Sequence, residues 1–365
     1  MRAPLNLTAR DFDAYAADTA SSNASSGPRS ELKRRALAWA DAVVARFAAA
    51  GLELEVHASD ELFSIREGKK ADDQWIYFTR DARASDELAR VAGERRALPP
   101  AREDPRCHAL LALHVDAAAV EVCFALFAGA RVDAENLSTR LADAGPAAEL
   151  VRALEALPEQ FAIGVEPDGR VPCASAAPDR VRAALEARAG ATPLWIGWRV
   201  PRETAIEHAE LLDEQLEDAL VALAPVYRLV AWSRESDLLV LADAPASAAR
   251  EGRRRPTANA KAKPDARREP AAPSARRSPS RASAPSRASA PSRALERGAR
   301  VRVRSGPFAD KLGTVSEIDG RGGARVMLGL LSSRFDVDEL EPVAAPRERP
   351  ALQSSHRRAA PRKAR

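Results

Sequence analysis

The chain has 365 residues, 45% hydrophobic and 30% charged, enough for one sizeable core and a small additional domain. Its net charge of +4 hides a segregation, because residues 1–244 have a net charge of −12, whereas residues 245–297 and 344–365 have net charges of +10 and +6. The three cysteines form no CxxC pair, which argues against a disulfide framework and a cysteine-rich zinc site and favours the cytoplasm. No apolar run approaches the roughly 18 residues of a membrane span, which argues against a membrane protein.

Residues 1–29 are predicted to be a flexible N-terminus, because they end in a run rich in serine. They lack the apolar region of a signal peptide, so no signal peptide is expected. Ser30 is a suitable N-cap for a helix that extends to about Ala50, with apolar residues at three- and four-residue spacing. Gly51 stands where the end of a helix is expected. The alternation in residues 52–56 then predicts an amphipathic strand.

The next strands are predicted from apolar runs. Residues 74–78 have high β-propensity, and residues 108–115 and 120–127 are predicted to form a hairpin buried against the rest of the domain. Helices and strands then alternate. Helices are predicted at about 134–157 and 178–188, and strands at 161–165 and 193–200.

Pro201 is predicted to begin a long helix, with apolar residues on one face up to Leu223 and acidic residues on the other. Residues 227–232 are predicted to be the last strand, and an apolar run at 238–241 follows it. Antiparallel strands mixed with surface helices are typical of an α+β fold. The sequence therefore predicts an α+β domain over residues 30–243, of a family that it does not reveal.

Residues 244–297 form a low-complexity segment rich in Ala, Pro, Arg and Ser, and residues 344–365 form a basic tail. Neither segment can bury enough apolar surface to offset its ordering entropy, so we expect a disordered linker and a disordered tail. Their charge predicts non-specific binding to nucleic acid through residues 245–297 and 344–365. The linker contains no aromatic residue for base stacking, so recognition of a particular nucleotide sequence is not expected there. The alternative to nucleic-acid binding is a soluble tether with no ligand.

Between linker and tail, the sequence predicts a small β-domain. Val301 and Val303 alternate with arginines, as expected for a strand with one buried face. The glycine-rich residues 319–323 are typical of a hairpin turn, and residues 325–328 are predicted to be the return strand.

Residues 298–343 resemble the KOW domain at the C-terminus of NusG-type transcription elongation factors. The residues that carry this resemblance are Val301, Val303, Gly306, Pro307, Phe308, Gly313, Val315, Val326, Arg334 and Leu340. Val337 stands where that family often has proline, and Ser332 and Ser333 replace its usual Phe-Gly. The resemblance does not extend to the NusG N-terminal domain.

The resemblance implies a small all-β, SH3-like barrel that contacts RNA or docks a protein, such as a ribosomal protein or a termination factor. The basic residues expected to contact such a partner are Arg302, Arg304, Lys311, Arg321, Arg325 and Arg334. Protein docking would use an exposed sheet edge together with the apolar side chains of Phe308 and Phe335. A solvated charged face without a ligand is the alternative.

The candidate catalytic and metal-binding patterns in residues 30–243 are weak. Asp60, Glu67 and Lys69 have the D…ExK order of metal-dependent nucleases, in which carboxylates hold Mg²⁺, but the spacing is loose. His108 and His114 lie six residues apart on a predicted strand, roughly 20 Å, too far for one metal ion.

The sequence therefore favours a non-catalytic, modular protein without a cofactor or metal. Its C-terminal domain is expected to dock RNA or the transcription and translation machinery of a bacterial cell. The alternative is an enzyme, such as a metal-dependent nuclease, in the N-terminal domain.

Overall fold

A computed structural model of the chain describes residues 4–17, 26–59, 72–94, 104–165, 167–188, 192–238, 295–319 and 322–343. The chain divides into two compact units, Met1–Ala294 and Leu295–Arg365, which we call the N-terminal unit and the C-terminal unit. Most of the predicted linker and the whole predicted tail lie outside the described residues. No helix in the described part of the chain is long and apolar enough to cross a membrane.

The N-terminal unit has the predicted α+β composition. Its strands are β1 (Leu54–Ala58), β2 (Asp73–Arg80), β3 (Ala109–Asp116), β4 (Ala119–Leu126), β5 (Ala162–Gly164), β6 (Val171–Pro172) and β7 (Leu194–Pro201). Its helices are α1 (Ala9–Asp13), α2 (Ser26–Ala49), α3 (Ala82–Glu94), α4 (Arg131–Ala142), α5 (Ala144–Glu155), α6 (Pro178–Ala187), α7 (Arg202–Glu207), α8 (Ala209–Ala222) and α9 (Ala224–Val230).

The seven strands form one antiparallel sheet in the order β1-β2-β3-β4-β7-β5-β6. Strands β3 and β4 form the predicted hairpin, with Val115 opposite Val120. Strand β7 pairs with β4 along its whole length, and the short strands β5 and β6 complete that side of the sheet. Strands β1 and β6 are therefore the edges.

The main core lies between one face of this sheet and helices α2, α8 and α9. Phe47 of α2 packs edge to face against Phe78 of β2, with 5.4 Å between ring centroids. Tyr227 of α9 packs similarly against Phe124 of β4 at 6.4 Å. Burial of a side chain of this size stabilises the fold by about 1.5–3 kcal/mol. These aromatic pairs, with the aliphatic residues around them, hold the helices on the sheet.

The N-terminus differs from the flexible segment that the sequence predicts. Leu5, Leu7 and Phe12 are buried, and the backbone N–H of Leu5 donates to Asp213 Oδ2 at 2.6 Å. These apolar residues are too few for a helical period to be recognised, so the sequence pattern gives no sign of their burial. Residues 4–17 instead pack onto the rest of the N-terminal unit.

The predicted strand at residues 227–232 is wrong, because helix α9 occupies most of this segment. Its β-branched and aromatic residues suggest a strand, but Pro225 lies in the first turn of a helix, where a missing N–H costs nothing. Val226, Tyr227 and Val230 are buried on one side of that helix. The long helix predicted from Pro201 is also interrupted, since His208 ends α7 and begins α8 with a non-helical backbone.

The C-terminal unit contains a five-stranded antiparallel sheet. Its strands are β8 (Arg300–Val303), β9 (Leu312–Ile318), β10 (Gly323–Leu328), β11 (Leu331–Asp336) and β12 (Leu340–Pro342), in the order β11-β10-β9-β8-β12. Its large buried apolar residues are Val301, Val303, Phe308, Val315, Val326, Leu328, Leu331, Phe335 and Leu340. The predicted small β-domain is confirmed as an antiparallel sheet, and its closure into a barrel stays a prediction.

Candidate nucleic-acid interface

Strand β8 presents arginines on one side, because its residues alternate between core and solvent. Val301 and Val303 are fully buried, whereas Arg300, Arg302 and the following Arg304 are exposed. Alternate residues of a strand lie roughly 6.6 Å apart and point to the same side. The three guanidinium groups therefore form a row on the solvent side of the sheet.

Two exposed apolar side chains lie on neighbouring strands beside this row. Leu312 of β9 lies opposite Arg302 and is 44% exposed. Met327 of β10 lies opposite Thr314, which in turn faces Arg300, and is 38% exposed. We call Arg300, Arg302, Arg304, Leu312 and Met327 the arginine face. Apolar groups exposed together with basic groups are typical of a binding surface.

The arginines of this sheet differ in how their charge is balanced. Arg325 pairs with Glu317 at 3.1 Å, and Arg334 pairs with Asp319. The nearest carboxylate oxygen to Arg302 belongs to Asp310, at 4.0 Å. Arg300 and Arg304 form no ion pair with any residue that the structure describes. Glu341 of β12 lies opposite Arg302 and is exposed on the same side of the sheet, so acidic groups balance the charge of the arginine face in part, and the whole segment 298–343 is neutral.

The remaining residues that the sequence singles out lie elsewhere. Lys311 is partly buried, and Arg321 lies outside the described residues. Phe308 and Phe335 are 2% and 9% exposed and pack edge to face at 6.3 Å between ring centroids. Phe335 is buried, whereas its neighbours Arg334 and Asp336 in β11 are exposed. Both rings hold the core, so as folded neither is a docking side chain.

Sequence reasoning missed Arg300, Leu312 and Met327. Arg300 could have been found by extending the alternation of β8 by one step. Leu312 and Met327 could not, because apolar residues in a strand are normally assigned to the core and only the strand pairing places them outside.

A second cluster of charged groups lies in the N-terminal unit, where four neighbouring strands meet. His114 Nε2 lies 3.1 Å from Asp73 Oδ2, and its Nδ1 lies 3.8 Å from Glu121 Oε2. Glu121 also pairs with Arg199 and lies 3.6 Å from Arg170. Strand pairing brings these residues together, because His114 faces Glu121 and Glu121 faces Arg199 across the sheet.

These contacts shift two pKa values. Burial alone lowers the pKa of His114, but hydrogen bonds and charges from Asp73 and Glu121 outweigh burial and raise the pKa to about 9. Burial raises the pKa of Glu121, but His114, Arg170 and Arg199 outweigh burial and lower the pKa to about 2. Both groups are therefore charged at neutral pH.

The same cluster contains groups that could ligate a metal ion. Ligand atoms of His114, Asp116 and Glu121 lie within 4.8 Å of one another. However, Arg199 contacts both carboxylates, at 3.4 Å from Asp116 and closer to Glu121. Because guanidinium groups and protonated His114 already balance these carboxylates, we interpret the cluster as a structural ion-pair network.

Asp60, Glu67 and Lys69, the candidate nuclease residues, lie outside the described residues, so the nuclease hypothesis stays a prediction. His108 is buried away from the ion-pair network. Burial and the charge of Arg80 lower its pKa to about 4.

Comparison with known proteins identifies one motif in the chain. Residues 297–328 match the KOW motif, a match that covers β8, β9 and β10. No curated protein matches the chain. The KOW motif is generally involved in RNA or protein binding, and it contains all five residues of the arginine face.

Proposed function

We propose that the chain is a non-catalytic, modular binding protein whose C-terminal unit binds RNA of the transcription or translation machinery. The observation that carries the proposal is the row of exposed Arg300, Arg302 and Arg304 within the KOW motif. Guanidinium groups donate paired hydrogen bonds to phosphate oxygens, and their binding releases counterions. A row of such groups suits the phosphates of one nucleic-acid strand.

The apolar residues beside the row favour RNA with exposed bases over regular duplex. RNA recognition mostly uses unpaired nucleotides, whose bases lie against apolar side chains or guanidinium planes. Leu312 and Met327 supply such apolar surface within the arginine face. We therefore propose that loops or single strands bind there.

The other segments complete this proposal. Apart from the packed residues 4–17, the domains are those of the sequence prediction, with an SH3-like barrel at 298–343 related to the KOW domain of NusG-type factors. Residues 245–297 and 344–365 add non-specific affinity for nucleic acid through their net charges of +10 and +6. Such a protein would act in the bacterial cytoplasm.

A binding experiment with matched variants tests the role of the arginine face. We expect Arg302→Ala/Arg304→Ala to weaken binding of a single-stranded RNA to the full chain by about tenfold. The slope of log affinity against log salt should also become shallower by about 0.7 for each phosphate that the variant no longer neutralises. Fluorescence anisotropy over a salt series measures both quantities.

The control is Arg325→Ala/Arg334→Ala, which removes two arginines that already have carboxylate partners. We expect this control to change RNA affinity much less. Equal losses in the two double variants would show that total charge, rather than the arginine face, governs binding. If a pull-down with the C-terminal unit instead retains its partner after nuclease treatment, the partner is a protein and the RNA proposal is wrong.

A further inference from the structure

An exposed acidic side chain lies next to the arginine face. Glu341 of β12 pairs with Arg302 of β8 across the sheet. Directly opposite residues of antiparallel strands point to the same side of the sheet. The neighbouring pair, Leu340 and Val303, is buried, so Glu341 and Arg302 both lie on the solvent side. A carboxylate therefore lies within the surface that we propose to bind RNA.

Backbone hydrogen bonds on both sides of this pair fix the position of β12. The backbone N–H of Arg304 donates to the carbonyl oxygen of Glu339 at 2.8 Å. The backbone N–H of Val343 donates to the carbonyl oxygen of Arg300, also at 2.8 Å. Glu341 lies midway between these two contacts. Its backbone cannot slide along β8, so its side chain stays beside the arginines.

The carboxylate of Glu341 has no hydrogen bond or ion pair with any residue that the structure describes, although Arg302 lies opposite. Arg302 Nη1 instead lies 4.0 Å from Asp310 Oδ1. By contrast, Glu317 of β9 pairs with Arg325 at 3.1 Å. A carboxylate repels the phosphates of a nucleic acid, because like charges repel one another. It becomes favourable on such a surface only where the ligand offers it hydrogen-bond donors.

Glu341, Arg302 and Leu312 form one row across three strands. Leu312 of β9 lies opposite Arg302 on its other side and is 44% exposed. Neighbouring strands are about 4.8 Å apart, so this row spans roughly 10 Å. Unpaired bases of RNA stack on guanidinium planes and on apolar or aromatic side chains. A base that lies over Arg302 and Leu312 therefore has one edge towards Glu341.

A carboxylate at the edge of a base favours guanine. A carboxylate only accepts hydrogen bonds, through its two oxygens. The Watson–Crick edge of guanine has two adjacent donors, N1–H and the N2 amino group. On the same edge of adenine, cytosine and uracil, each donor lies beside an acceptor, which a carboxylate repels. Guanine alone can thus form a paired, charge-assisted set of hydrogen bonds with Glu341.

We propose that Glu341 selects unpaired guanine in RNA bound at the arginine face. Its oxygens accept hydrogen bonds from N1–H and from the N2 amino group, while Arg302 and Leu312 contact the face of the base. Arg300 and Arg304 bind the neighbouring phosphates. This guanine preference rests on the proposed RNA binding and adds a specificity-determining residue to it.

Glu341→Gln in the full chain tests the preference with short oligouridine RNAs that carry one central guanosine or adenosine. We expect the wild-type chain to bind the guanosine RNA about tenfold more tightly than the adenosine RNA. The substitution removes a negative charge at nearly constant shape. Fluorescence anisotropy should therefore show slightly tighter binding of the adenosine RNA and weaker binding of the guanosine RNA. Tighter binding of both RNAs by the same factor would show that Glu341 only repels phosphate, and the preference would be refuted.

A third RNA, with inosine in place of the guanosine, separates hydrogen bonding from stacking. Inosine keeps the fused ring and N1–H but lacks the N2 amino group. We expect it to bind the wild-type chain about fivefold more weakly than guanosine, and the difference to shrink in Glu341→Gln. The same difference in both proteins would mean that the amino group contacts another residue, contrary to the assigned role of Glu341.

Asp338→Asn is the charge-matched control. Asp338 is exposed in the short 3₁₀ helix Val337–Glu339 before β12 and does not pair with a strand of the arginine face. We expect this variant to change the affinities for all three RNAs by the same small factor. A loss confined to the guanosine RNA here would assign the preference to net charge.

Two results with the wild-type chain distinguish the guanine preference from RNA binding itself. If the guanosine, inosine and adenosine RNAs bind equally well, the guanine preference is wrong and the proposed RNA binding stands. If none of them binds, both are wrong.

Discussion

His108 directly precedes β3 and His114 lies near its other end, and their surroundings shift their pKa values in opposite directions. Carboxylates around His114 raise its pKa from 6.5 to about 9. Burial and Arg80 lower the pKa of His108 from 6.5 to about 4. One histidine is therefore held protonated and the other neutral at the same pH.

These shifts predict how the stability of the N-terminal unit depends on pH. The folded state binds the proton of His114 more tightly than the unfolded chain, so this stabilisation is complete below pH 6.5 and is lost as the pH rises to about 9. For His108 the folded state binds the proton less tightly, so stability falls as the pH drops from 6.5 towards about 4. We expect each change to be on the order of 1–3 kcal/mol in urea unfolding experiments across this range.

Single variants assign the two slopes. His114→Gln should remove the loss of stability at alkaline pH and leave the loss at acidic pH. His108→Gln should do the reverse. An alkaline slope that persists unchanged in His114→Gln would show that the ion-pair network does not raise the pKa of this histidine.

At the scale of single residues, sequence predicts burial better than it predicts partners. The alternation of Val301 and Val303 with arginines correctly indicated the exposed side of β8. The partners of Glu121 could not be predicted, because they lie on two other strands and in the segment around Arg170, and only the register brings them together.

At the scale of elements, Gly313 shows why β9 and β10 pair as closely as they do. A Cβ at position 313 would lie 2.8 Å from Leu328 Cδ2 and 2.8 Å from the carbonyl oxygen of Met327. Because Leu328 is buried and the second contact is with backbone, neither neighbour can move away easily. The residue at this position must therefore be glycine.

We expect Gly313→Ala to destabilise the C-terminal unit by about 1–3 kcal/mol, as overpacking of a core typically does. Hydrogen exchange of the amides of β9 and β10 measures this loss directly. The control is Thr314→Ala at the neighbouring exposed position, where truncation of the side chain leaves the core unchanged. Equal loss of protection in both variants would refute the steric explanation.

Elements marked by an apolar run or by alternation were predicted well. Elements whose amino-acid preferences favour a different secondary structure were not. The β3–β4 hairpin follows from two apolar runs, and β8, β9 and β10 follow from alternation and turn glycines. Helix α9 was mistaken for a strand, because its residues have high β-propensity and tertiary packing overrides that preference. Helix α3 was missed altogether, since few large apolar residues mark its buried side.

At the scale of the whole molecule, charge is distributed by segment. The net charge of −12 over residues 1–244 disfavours contact of that region with nucleic acid, whereas residues 245–297 carry +10. The arginine face is a localised group of basic side chains within a neutral segment. We infer that the linker adds affinity and that the arginine face adds preference for particular RNA structures.

Replacing residues 245–294 by a Gly-Ser linker of equal length tests this division. We expect weaker RNA binding and a shallower salt slope, because fewer counterions are released. The effect of Arg302→Ala/Arg304→Ala on affinity should persist in the replaced chain, as measured by fluorescence anisotropy. Loss of that effect after replacement would assign RNA binding to the linker alone.

Both sheets end in a very short strand that contains proline. Strand β6 has two residues and includes Pro172, and strand β12 has three and includes Pro342. Proline has no N–H to offer to another strand, and short edges give an incoming chain little to pair with. A polyanion that gathers many copies of a basic protein raises their local concentration, the condition in which exposed sheet edges start to aggregate. We therefore expect these two edges, unlike β1 and β11 at the other sides of the sheets, to resist pairing with another chain when copies gather on RNA.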